Sequence, residues 1–90
     1  MAAGPQACNG FVKAMNGVID TALVLNDMAW KEDSEGRLDK TKLDAMRAQM
    51  AHLADLFKLY RTMYDRMDCE IYHGEGFPGH FPDFQWPDPK

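Results

Sequence analysis

Apolar residues recur along this chain in two long helical patterns, separated by a polar interval and followed by a stretch that cannot be helical. In the first pattern they fall at Cys8, Phe11, Met15, Val18, Ala22, Leu25 and Ala29, in alternating steps of three and four. That spacing predicts a helix with one buried face. Val12, Ile19 and Leu23 widen the stripe on one side, and Gly4-Pro5 suits a first helical turn. Gly10 and Gly17 lie inside the pattern, where glycine costs about 1 kcal/mol relative to alanine. A close helix–helix contact at Gly17 would account for it, as would simple tolerance.

The interval "KEDSEGRLDK" is polar, and Gly36 marks it as the turn. Asp39 or Thr41 is expected to cap the next helix, Thr41 with Asp44 giving a T-x-x-D pattern. Beyond it, Leu43, Met46, Met50, Leu53, Phe57, Tyr60, Tyr64, Met67 and Ile71 form an unbroken seam of three- and four-residue steps. Such a seam predicts a helix of about four heptads, roughly 45 Å long. A second stripe, Leu56, Leu59 and Met63, runs beside its C-terminal half. One shorter helix can cover one stripe and not both, so apolar surface is left over, and such surface usually meets a partner.

The end of the chain, "GFPGHFPDFQWPDP", holds four prolines, which forbid a helix. Phe77, Phe81, Phe84 and Trp86 are interleaved with them, and extended Pro-flanked aromatics commonly dock in grooves on other proteins. Docking on a partner is the expectation; folding back over this chain's own hairpin and disorder are the alternatives. The predicted fold is therefore all-α: an antiparallel two-helix hairpin with a long second helix over residues 1–73, and an extended Pro/aromatic tail over residues 74–90. The hairpin is expected to complete a helical bundle with partner subunits. Leu53, Leu56, Phe57, Tyr60, Met63, Tyr64 and Met67 are the candidate partner-binding residues of the helix, with Phe77, Phe81, Phe84 and Trp86 those of the tail.

Composition sharpens this picture in three ways. Ninety residues make one small domain, at a size where burial only just offsets chain entropy. The net charge of −4, with no basic run, argues against holding nucleic acid through its phosphates. The charge is also uneven: residues 1–36 carry two basic and five acidic side chains, and residues 37–66 carry seven basic and four acidic. Opposite signs on successive helices favour their pairing, though each exposed ion pair adds little. The apolar window "FVKAMNGVIDTALVLNDMAW" contains Lys13, Asp20 and Asp27, too polar for a membrane span. The N-terminus lacks the basic start and apolar core of a signal peptide.

Candidate chemistry adds little. Two cysteines, Cys8 and Cys69, are too few for a disulfide-rich scaffold and read as two reduced thiols of an intracellular protein. Cys69 and His73, one helical turn apart, could share a face with His80 nearby, but a zinc site wants a fourth ligand. Only Cys8, Glu75 or a tail acid could supply one, so the three read as a packing residue and two loop residues. "GEGFPG" lacks the lysine and following helix of a phosphate loop. The seam methionines Met15, Met46, Met50 and Met67 read as core. No active site, cofactor or metal is predicted, and the protein is expected not to be an enzyme.

One stretch carries a resemblance. In "LDAMRAQMAHLADLFKLYRTMYDRMDCE", Leu53, the Leu56-Phe57-Lys58 run, Arg61 and Tyr64-Asp65-Arg66 resemble the helical region of the Mediator complex subunit 30 family. The likeness covers about residues 8 to 70 and is sharpest over 53–66; the aromatic tail is no part of the pattern. It implies a non-catalytic nuclear subunit of a transcriptional coactivator of RNA polymerase II, bundling its heptad helices with neighbouring subunits. The competing reading is an accessory subunit of a mitochondrial respiratory complex, peripheral to the inner membrane, whose tails the "HFP…WPDP" ending weakly resembles.

Overall fold

The computed structural model describes residues 5–69 and 78–89. Helix α1 spans Pro5–Ser34 and α2 spans Lys40–Arg66, packed antiparallel as a hairpin. The seam residues explain the pairing. Met15, Val18, Ala22, Leu25 and Ala29 of α1 and Leu43, Met50, Phe57 and Tyr64 of α2 are buried between the helices. Each follows its neighbour at helical spacing, so the apolar face of one helix closes the apolar face of the other.

Local chemistry builds the turn. The Gly36 N–H donates to the Asp33 carbonyl (3.0 Å) and the Arg37 N–H to the Glu32 carbonyl (2.8 Å). This pairing closes α1 as a Schellman motif, and Gly36 takes the left-handed φ of 72° that the motif requires. Leu38 is buried beneath the turn. Asp39, not Thr41, caps α2: its Oδ1 accepts from the Lys42 N–H at 2.7 Å, so the T-x-x-D pattern lies inside the helix. Arg37 bridges to Glu32 at 2.9 Å and also to Glu35. Lys42 approaches the same Glu32 carboxylate at 3.7 Å.

At the other end two expectations are corrected. The two cysteines are not free thiols: Cys8 and Cys69 form a disulfide across 61 residues. The bond joins the start of α1 to the end of α2, and both residues are fully buried. Sequence spacing could not show this, because a helix continued past Arg66 would carry Cys69 off the seam. Second, α2 stops at Arg66, with Met67 as its cap and Asp68 left-handed at φ 54°. The helix is therefore 27 residues long against 30 for α1, and the second helix is the shorter of the two. Ile71, the last seam position, lies outside the described residues, as does the expected boundary between residues 73 and 74. Of the two accounts of Gly17, the close contact is absent, since nothing lies within 4 Å of a Cβ built there, and simple tolerance remains.

The molecule is a thin rod of 52 × 20 × 15 Å. Its radius of gyration, 16.0 Å, exceeds the roughly 12 Å of a compact chain this long. A hairpin of this shape has a core one layer thick. None of the described helices is long and apolar enough to cross a membrane.

Candidate interaction surface

The described part of the tail lies on the chain's own hairpin. It runs back from the end of α2 toward the turn, in the trough between the helices. Arg61 Nη1 donates to the Gly79 carbonyl at 3.2 Å, next to the final turns of α2. Phe81 then stacks obliquely on Phe57, ring centroids 5.7 Å apart, and meets Phe84 edge-on at the same distance. Farther along, the Gln85 carbonyl accepts from Asn26 Nδ2 (2.8 Å) and Trp30 Nε1 (3.0 Å). Phe84 and Trp86 pack against the cluster of Ala22, Leu25 and Met50, and Pro87 is buried.

These contacts answer for Phe81, Phe84 and Trp86 differently from the expectation that set them on a neighbouring subunit. The physical reason is the thin core: a two-helix layer leaves a trough, and the tail is the nearest apolar chain to fill it. Phe77 lies outside the described residues. The helix candidates also divide. Phe57 and Tyr64 are buried inside the hairpin and have no free face for a partner. Leu53, Leu56 and Tyr60 are half-buried against the same core, while Met63 and Met67 are exposed.

The opposite flank is bare. Val24 and Met28 precede Asn26 and Trp30 by two residues each, about 200° around the helix, so they face away from the tail. Met63 follows Arg61 by two residues, an equal turn around α2. Between the helices on this side lies an open groove of about 620 Å³, floored by Leu25 and Leu53 and walled by Thr21, Val24 and Met28 opposite Ala48, Gln49 and His52. The α2 wall continues as Gln49, His52, Leu56, Leu59 and Met63, at steps of three and four. The second stripe seen in the sequence is thus the far end of this flank, and Leu59 and Val24 are 53% and 60% exposed. Sequence reasoning missed Val24 and Met28. Their one signal was their place beside the α1 stripe on the side away from Val12 and Ile19.

Nothing in this surface resembles a reactive site. Both cysteine sulfurs are consumed in the disulfide, which removes Cys8 and Cys69 from any metal-ligand set. His52 lines the groove and His80 is exposed; His73 lies outside the described residues. No group of three metal-ligating side chains occurs among the described residues. The shifted carboxylate is Glu32, held below its ordinary pKa by the hydrogen bond from Arg37, and it serves the turn.

Compared with protein-family profiles, curated proteins and solved structures, the chain matches none. The Mediator-like run therefore stands on its residues alone. Its apolar members Leu53, Phe57 and Tyr64 face the hairpin core, and Arg61 pairs with Asp65 at 3.2 Å on the surface.

Proposed function

We propose that this chain is a non-catalytic structural subunit that completes a helical bundle with partner subunits of a multiprotein complex. The observation that carries the reading is the bare flank. After the hairpin and tail have buried what they can, Val24 and Met28 still face solvent at an open groove, and Leu59 and Met63 on the flank beyond it. Partner helices laid there would add the layer that the thin rod lacks. The tail's half-buried rings would supply a second apolar edge on the other side.

The Leu53–Arg66 run supports a Mediator subunit in the nucleus as the complex. The disulfide favours the second reading, an accessory subunit of a mitochondrial respiratory complex, because nuclear thiols are held reduced. Neither reading requires direct contact with nucleic acid or a membrane span.

The test is native-mass analysis of the full chain expressed in its own cells, beside the double variant Met28→Glu with Met63→Glu. The wild type should run in a large assembly of fixed stoichiometry, and the variant should run free with its helix content unchanged. A wild-type chain that runs alone would end the proposal. The identity of the co-migrating subunits, with nuclear and mitochondrial fractionation, separates the two complexes.

A further inference from the structure

We propose that the Cys8–Cys69 disulfide is a redox clasp that sets the length of α2. The local sequence contains no stop where the helix stops. From Met67 to His73 there is neither glycine nor proline, and the first breaker is Gly74. The seam itself continues through Met67 without a change of step. Yet α2 ends at Arg66, and Asp68 adopts φ 54°, the left-handed region that residues with a Cβ disfavour, aspartate less than most. Among the described residues it is the non-glycine residue with positive φ.

The bond accounts for both features. On a continued helix Cys69 would sit five residues beyond the buried Tyr64, about 140° around the axis and away from α1. The left-handed turn at Asp68 swings it back beneath the first turns of α1, where it meets Cys8 in the cluster of Met15, Phe57 and Tyr64. A tertiary bond thus holds a local conformation that the sequence does not favour.

Reduction would release it. Two electrons and two protons from a dithiol reductant, itself oxidised to a disulfide, convert the bond to two thiols. Asp68 then returns to the right-handed region and α2 runs on past Arg66. Met67, 40% exposed in the clasped form, becomes an interior seam position of a longer helix. The thiol poise of the compartment selects the form: a short, closed hairpin where disulfides persist, and a longer partner-facing seam where they do not.

The experiment uses the full chain, oxidised and after dithiothreitol, with alkylation and mass measurement confirming zero and two free thiols. On reduction the 13Cα shifts of Met67, Asp68 and Cys69 should move to helical values, with a gain in the 222 nm circular dichroism. A left-handed Asp68 in the fully reduced chain, or a loss of helix signal, would overturn the clasp and leave only a staple. Redox titration of Asp68→Ala and Asp68→Gly gives the independent measure. Alanine disfavours the left-handed turn and should shift the equilibrium toward the thiols by about fivefold relative to glycine. Equal titrations for the two variants would refute the coupling.

Discussion

The two ends of the hairpin are built by different means. At the turn every device is local: the Gly36 closure of α1, the Asp39 cap of α2 and the Glu32–Arg37 pair all lie between residues 32 and 42. At the open end the distinguishing contacts are long-range. Cys8 meets Cys69 across 61 residues, and Phe81 returns from the tail to stack on Phe57. The small protein draws its stability from the two ends at different stages. Local devices shape the chain before it folds, each adding little, whereas the open end adds most once the helices are already side by side.

The strongest way to break that contrast is to open the clasp. Cys8→Ser with Cys69→Ser frees a loop of 61 residues in the unfolded chain and should lower stability by about 4 kcal/mol on loop-entropy grounds. Denaturant unfolding of the two forms measures it; a loss no larger than that of a turn variant would erase the distinction between the ends.

The tail comes next. Phe81→Ala with Trp86→Ala removes two half-buried rings and should cost the isolated chain about 2–4 kcal/mol, with little change in helix content. If the isolated chain keeps its melting temperature, the tail's energy is reserved for a partner and the in-cis packing contributes nothing.

The turn variants should be milder. Asp39→Ala leaves a first-turn N–H of α2 without its side-chain acceptor and should cost about 1 kcal/mol, read from the same unfolding curves.

Smallest is the pH response of the turn. The Arg37 hydrogen bond lowers the pKa of Glu32 from its ordinary 4.5, so the pair's contribution is complete above that value. It disappears as pH falls through the lower folded-state value. Arg37 is exposed and Glu32 only partly covered, so the effect is small and salt-sensitive. Arg37→Ala should therefore be slightly less stable than wild type near neutrality and indistinguishable from it once Glu32 is protonated. A difference that persists in acid would assign the effect of Arg37 to packing.

How much of this was legible follows the same division. Residues 8 to 29 and 43 to 64 announced two amphipathic helices because helical period is a property of neighbours in sequence, and Gly36 announced the turn for the same reason. Leu56, Leu59 and Met63 announced surplus apolar surface. Val24 and Met28, on the same flank, were hidden, because flanking apolar residues of a helix read alike until its neighbour is placed.

Helix period, capping and turn geometry act over a few residues, so the two described helices, their facing sides and the turn between them could be read from the amino acids alone. That Cys8 and Cys69 bond, that α2 ends at Arg66, and that Phe81, Phe84 and Trp86 lie on this hairpin emerged with the folded chain. Each of these depends on groups far apart in sequence arriving at one place. Disulfide formation and ring burial are set by that proximity, and no local pattern encodes it.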